Sequence, residues 1–289
     1  MLCCFVENCW LLLQARADPT YLIHQRSRFN TRPQWFVYRT LFMSTSKKRK
    51  SSEINSHPDM ATIAASTNIA RKALFQSRTP VVPLGLTYGK SNTSFAADAV
   101  VLECFIDFCC PFSKKIWDRL TLDVHKFYAT GSGKSPVKIV FHQIPQPWHP
   151  QSTLLHEVAL ASWIAGGDDK YELMHQSLFD VRDKFCDLDV YEMSRSQIYN
   201  SLCLATAGQV GIEVKSLMEL LTLDTSNGQR NSGNACTASL KWYVKQHRQR
   251  GIHVSPTCAV NGVEVNTSSS WGLDEWRKLL DPLVAAVKN

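Results

Sequence analysis

Hydrophobic positions along this chain become periodic only after about residue 79. Ala99-Val-Val-Leu-Glu-Cys-Phe-Ile106 is a nearly continuous apolar run between Asp98 and Asp107. Such a run predicts a strand buried on both faces of a sheet. After Pro111, the residues Ile116, Trp117, Leu120, Val124 and Phe127 recur at helical spacing, and Gly131-Ser-Gly133 ends the helix. Val137-Lys-Ile-Val-Phe141 predicts a second strand. Strand, helix and strand with a short return make a βαβ unit, hence a parallel pair with a right-handed crossover.

The pattern then changes. Leu154, Leu155, Val158, Ala159 and Trp163 form one amphipathic stretch, and Tyr171 to Phe179 forms another. Two more follow in Ser194–Ala207 and Glu213–Leu221, with no strand of comparable strength between them. Residues 150–232 therefore read as a helical insertion. A helix follows over Ala235–Arg250. Val254-Ser-Pro-Thr-Cys-Ala-Val-Asn-Gly262 is a strand–turn pattern, with Asn261-Gly262 as the hairpin turn and Val263-Glu-Val265 as the partner strand. Leu273, Trp276, Leu279 and Leu280 open a final helix that Pro282 is expected to break or kink.

Charge refines the picture of the first 79 residues. The 289-residue chain has 32 Lys+Arg and 25 Asp+Glu, a formal charge of +7. The first fifty residues hold nine basic side chains and only Glu7 and Asp18 as acids, so the whole excess lies there. The body is neutral, which excludes a basic nucleic-acid-binding surface on the folded part. The 44% hydrophobic and 20% charged content is that of ordinary globular protein. No run reaches the ~18 apolar residues of a membrane span. Residues 1–79 read as a disordered leader: up to Lys50 they are rich in Arg and Ser and nearly free of acid, and from Met60 to Ala97 there is no Asp or Glu. That composition matches an organellar transit peptide, and a mitochondrial or other organellar matrix location is expected. Lys47-Lys-Arg-Lys50 keeps a nuclear address open, and a tail without any address would leave the protein cytoplasmic.

Ten cysteines are irregularly spaced and form no C-x-x-C. This points to a reducing compartment with mostly buried thiols rather than a disulfide scaffold. No Cys/His pair lies at finger-like spacing near a second such pair, so no metal site is expected. His142, His149 and His156 recur every seven residues, but a strand–loop–helix break separates them. Gly131-Ser-Gly-Lys-Ser135 lacks the first glycine of a P-loop, since position 128 is Tyr128, and a strand follows it instead of a helix. Asn92-Thr-Ser94 and Asn266-Thr-Ser268 are glycosylation sequons that matter only in a secreted protein.

The strongest chemical signal is Phe108-Cys109-Cys110-Pro111-Phe112-Ser113, where a buried strand ends and a helix begins. A cysteine there meets unpaired backbone N–H groups and the positive end of the helix dipole. Such placement can lower a thiol pKa from ~8.5 into the range of about 3.5–7.5. Pro111 suits the first helical position, and Lys114 and Lys115 add positive charge one turn on.

These residues resemble the thioredoxin superfamily, and more closely its DsbA-like branch. The similarity is carried by Phe105-Ile-Asp-Phe-Cys-Cys-Pro-Phe-Ser113, His149-Pro150, Glu172-Leu-Met-His-Gln-Ser-Leu-Phe179 and Gly251-Ile-His-Val-Ser-Pro-Thr-Cys-Ala-Val-Asn-Gly262, spread from about residue 80 to the C-terminus. The resemblance implies an α/β thioredoxin-like fold, a central mixed sheet flanked by helices, with an all-helical subdomain inserted. Its halves would be residues 80–149 and 233–289, around the insertion at 150–232. It makes Cys110 the attacking cysteine, with Pro111 and Ser113 completing the motif. It makes Pro256 the cis-proline facing Cys110. Ser255 and Pro256, with Phe112 on the rim, would then bind substrate through the main-chain groups that a cis X-Pro bond exposes.

One departure bears on chemistry. The family motif is C-x-x-C, and here the fourth position is Ser113. A serine cannot attack a mixed disulfide as the second thiol does. Phe112 also stands where the family carries an imidazole. The resemblance therefore implies a monothiol DsbA-like thiol-disulfide oxidoreductase, with no tightly bound cofactor. Its partners would be glutathione as co-substrate or a thiol- or disulfide-bearing protein. Cys109 and Cys258 are the candidate resolving thiols. Two other readings stay open: a non-catalytic, chaperone-like peptide binder using the groove beside Pro256, and a kappa-type glutathione transferase or isomerase in which Ser113 would activate glutathione.

Overall fold

A computed structural model describes residues 84–287 except 130–132, 224 and 226–227. The leader expected at 1–79, with its targeting and basic segments, lies outside the described residues.

Five strands form one mixed sheet: β1 (Leu86–Thr87), β2 (Phe95–Ile106), β3 (Ser135–Gln143), β4 (Thr257–Val260) and β5 (Val263–Val265). Their order is β1-β3-β2-β4-β5. The central pair β2/β3 is parallel and every other pairing is antiparallel. β2 is buried on both faces, as its apolar run predicts. Val100, Leu102, Cys104 and Ile106 enter the main core, whereas Phe105 packs with Ile144 and Ile252 on the opposite side. The strand starts at Phe95, earlier than the expected boundary at Asp98. It crosses Asp98 through a register irregularity between Phe95 and Val100, which leaves Asp98 exposed.

The crossover from β2 to β3 begins with helix α1 (Pro111–Arg119), widens into a π-helical turn (Leu120–Val124) and ends in α2 (His125–Ala129). Ile116, Trp117, Leu120 and Val124 are buried as the spacing predicts. Phe127 is 40% exposed. The π-turn re-phases the helix after Val124, so the Phe127 ring turns outward, where the Arg277 guanidinium lies 4.6 Å from its centre.

Between β3 and the next sheet-covering helix lie α3 (Ser152–Val181), a 3₁₀ turn (Arg182–Lys184), α4 (Asp187–Val190), α5 (Arg195–Val210) and α6 (Val214–Leu221). The two amphipathic stretches around Leu154 and Tyr171 belong to one long element, kinked at Gly167, whose φ of 76° only glycine adopts easily. α5 opens on a capping box: the Ser194 hydroxyl accepts from Gln197 N–H at 3.3 Å, and Ser194 N–H donates to the Gln197 side chain at 2.8 Å. Gly211 ends it in the left-handed conformation. Buried Glu157 of α3 ties these helices together. It accepts from Arg195 (2.8 Å), Asn234 (2.9 Å), Thr237 (2.9 Å) and the Tyr199 hydroxyl.

The chain returns to the sheet through α7 (Thr237–Gln249), the β4–β5 hairpin and α8 (Leu273–Val287). Asn261 and Gly262 both have positive φ, 50° and 87°, as a two-residue hairpin turn requires. Trp276 and Leu280 of α8 are fully buried in the main core. The helix does not stop at Pro282 but runs on to Val287. Pro282 and Lys278 both lie on the exposed side, so water can take the carbonyl that the missing N–H leaves free.

Candidate active site

The end of β2 and the start of α1 set the geometry. Ile106 closes the strand, and Cys110 caps the helix with extended backbone angles (φ −77°, ψ 121°). Pro111 follows at the first helical position, where its fixed φ fits and its missing N–H removes one orphan donor. The Cys110 carbonyl accepts from Ser113 N–H (3.1 Å) and Lys114 N–H (3.2 Å), and Cys110 N–H donates to the Asp107 carbonyl (3.1 Å). The side chain is thus held at the mouth of the helix while remaining only 6% exposed.

Opposite it lies the segment before β4. The Ser255–Pro256 peptide bond is cis. The Cys110 thiol donates to the Ser255 carbonyl at 3.4 Å, across 145 residues of sequence. Cys110, Ser255 and Pro256 therefore meet, with Phe112 and Val254 beside them in the chain and 60% and 56% exposed. Both are apolar side chains open to solvent.

Ser113 is fully buried, and its hydroxyl accepts from the Asp107 N–H at 3.2 Å. It closes the turn rather than facing solvent. The two lysines are already engaged. Lys114 pairs with Asp118 at 2.7 Å and with Asp180 at 3.8 Å, and Lys115 donates to Ser270 at 2.8 Å. Lys114's charge is largely neutralised by these acids.

Cys109 and Cys258 occupy different surroundings. Cys109 is half-buried beside Cys110. Burial, with the Asp107 carboxylate, pushes its thiol well up, and Arg182 opposes this. Cys258 lies on β4 directly opposite Cys104 of β2, and both are interior. Burial, and then Cys258 itself, drives the Cys104 thiol up.

In the sequence Asp107 marks only the end of a strand. The structure makes it the hub of the site. Its carboxylate is fully buried and accepts from Cys109 N–H (2.8 Å), Gln146 N–H (2.9 Å), His149 Nδ1–H (3.0 Å) and the Ser152 hydroxyl (2.8 Å). One side chain thereby fastens the cysteine turn to the β3–α3 loop and to the first turn of α3. An acid trapped between an apolar strand and a cysteine motif was the available signal, since a buried carboxylate needs several donors.

The three histidines diverge. His149 and His156 approach Asp107, His156 at 3.9 Å, whereas His142 bonds Glu103 on the far side of the sheet at 2.9 Å. Burial lowers His156 to about 4 and His175 to about 3. Both are neutral near pH 7 and pack against the Phe108 ring at 4.7 and 5.0 Å. Under the cysteine turn lies an apolar, aromatic layer.

Two depressions adjoin the site. One of about 400 Å³ is bordered by Cys109, His149, Arg182 and Cys186. Another of about 410 Å³ runs from Trp148 to His253, two residues before Ser255.

No protein-family model and no curated protein matches the chain. Among solved structures, alpha-DsbA1 from Wolbachia pipientis matches with a TM-score of 0.51 at 9% identity, over 72% of this chain and 94% of that one. Oxidised BdbD from Bacillus subtilis matches with a TM-score of 0.48 at 17% identity, over 72% of this chain and all of that one. At such identities the likeness concerns the fold. With the mixed sheet, the cysteine-capped α1 and the helical insertion in the same chain, the described residues have a DsbA-like thioredoxin fold.

Proposed function

We propose that the protein is a thiol-disulfide oxidoreductase that works through one attacking cysteine, Cys110. The observation that carries this reading is the Cys110 thiol at the N-terminus of α1, 3.4 Å from the Ser255 carbonyl beside Pro256. A helix N-terminus favours negative charge on a sulfur. The segment Val254–Pro256 offers main-chain groups to an extended peptide, and the Phe112 and Val254 side chains offer apolar contact.

In the proposed reaction the Cys110 thiolate attacks one sulfur of a substrate disulfide. A Cys110–substrate disulfide forms, the substrate S–S bond breaks, and the other half leaves as a thiolate that takes a proton from water. Glutathione thiolate then attacks the mixed disulfide. Cys110 returns as a thiolate, and the departing group carries glutathione. Ser113 takes no part in this exchange, because it has no sulfur and its hydroxyl is enclosed. The same enclosure argues against Ser113 as the group that activates glutathione in a transferase.

Incubating the full chain with oxidised glutathione and mapping the peptides by mass is expected to place glutathione on Cys110. Cys110→Ser should lose that adduct, and its disulfide-reductase rate should fall to background. If Cys110 reacts with a thiol-alkylating probe at pH 6 no faster than free cysteine does, the reading fails. Peptide affinity unchanged in Cys110→Ala, without any reductase activity in the wild type, would instead identify a binding protein.

A further inference from the structure

We propose that Cys109 and Cys186 form a dithiol–disulfide pair of their own across the cavity beside Cys110. The inference rests on the reading that this end of the molecule handles disulfides, but not on Cys110 itself.

Both cysteines border the same depression of about 400 Å³, together with His149 and Arg182. Cys186 comes from the helical insertion, on the connection between the 3₁₀ turn and α4, and is exposed. Arg182 contacts both residues. Its guanidinium Nη2 donates to the Cys109 carbonyl at 3.3 Å, and its own carbonyl lies 4.0 Å from the Cys186 sulfur. Other thiols of the described residues are less suited. Cys104 and Cys258 face each other inside the sheet at 0% and 1% exposure, where a substrate disulfide has no access.

The two environments assign the order of events. Cys186, exposed, meets the substrate first. Its thiolate attacks one sulfur of a disulfide R–S–S–R, a Cys186–S–S–R bond forms, and one RS⁻ leaves and is protonated by water. Cys109 is half-buried, so it meets the substrate only after a mixed disulfide has formed on exposed Cys186. It gives up its proton to solvent and attacks the Cys186 sulfur, and the second RS⁻ leaves and is protonated. The substrate disulfide gains two electrons and becomes two thiols; Cys109 and Cys186 are oxidised to one disulfide. The reverse sequence donates a disulfide to a dithiol. Bridging requires the two Cα atoms within about 7 Å, so the bond forms only where the connection carrying Cys186 brings them that close.

The test uses the full chain equilibrated with mixtures of reduced and oxidised glutathione, alkylated, digested without reductant and mapped by mass. In the oxidising mixtures, wild type and Cys110→Ser should both yield a linked Cys109–Cys186 peptide lighter by two hydrogens than its two reduced parts. Cys186→Ser should yield none, while glutathione still appears on Cys110. Separate glutathione adducts on Cys109 and Cys186 with no linked peptide would overturn the inference, as would a Cys110–Cys186 link. Loss of the Cys110 adduct with the linked peptide retained would overturn the proposed function alone, so the two failures are distinguishable.

Discussion

Replacing Asp107 with alanine should destabilise this protein more than any change at the cysteines themselves. The carboxylate is fully buried and satisfies four donors: two backbone N–H groups (Cys109 and Gln146), the His149 imidazole and the Ser152 hydroxyl, all within 3.0 Å. Alanine strips the acceptor from each. A buried donor left unsatisfied costs about 1–3 kcal/mol. His149 is partly exposed and can turn to water, so the loss falls mainly on Cys109, Gln146 and Ser152. Because the three share one site, their losses do not add fully. A net loss of about 3–5 kcal/mol follows, at the upper end of single substitutions. For a folded unit of roughly 200 residues, each kcal/mol lowers Tm by about 2–4 °C, which gives a drop of roughly 6–20 °C. Urea unfolding followed by near-UV circular dichroism would measure it, with Tm as a second readout. Asp107→Asn should recover part of the loss, since its amide oxygen still accepts while its NH₂ confronts the remaining donors. A loss below about 1 kcal/mol for Asp107→Ala would refute the argument, because it would mean that water or a local shift satisfies all four donors.

Two further predictions concern acid. Burial holds His156 at about 4, below its ordinary 6.5, with His247 adding to the effect and Asp107 opposing it. The folded state then binds fewer protons than the unfolded chain between about pH 6.5 and 4, so stability falls as pH drops through that window, by up to about 1.4 kcal/mol per pH unit. His156→Phe should remove one proton's worth of that slope while leaving the share of His175; a slope unchanged in urea titrations across the window would show that His156 does not stay neutral on folding. On the other face of the sheet, His142 and the bidentate Arg250 (2.6 and 2.8 Å) hold the Glu103 carboxyl down at about 2. Its stabilisation is present above about pH 4.5 and is lost as pH falls towards 2, so Glu103→Gln should cost about 1–3 kcal/mol at pH 7 and little at the acid end. An equal deficit at both pH values would point to lost packing instead of lost charge.

What could be read in the chain and what could not differ in physical origin. β2 was legible because burial on both faces gives a nearly continuous apolar run from Ala99 to Ile106, whose one charge, Glu103, meets Arg250. Asn261-Gly262 was legible because a two-residue hairpin demands positive φ at both positions. The helix capped by Cys110 was legible from Pro111, which tolerates the first helical position and few others. In each case the cause lies within a few residues. Asp107 and Cys186 were not legible, because their meaning depends on loops that only the tertiary fold brings together. Asp107 needs Gln146, His149 and Ser152, some forty residues on. Cys186 borders the cavity beside the cysteine turn, where Arg182 docks on the Cys109 carbonyl, 73 residues away in sequence. The motif's fourth position, read alone, reports a missing sulfur. The insertion can bring sulfur to this end of the molecule without that position: the connection that follows the Arg182 turn places Cys186 on the cavity that Cys109 borders. A chain of this fold should therefore be judged for a redox thiol pair by what its insertion presents as well, and not by the spacing of its active-site motif alone.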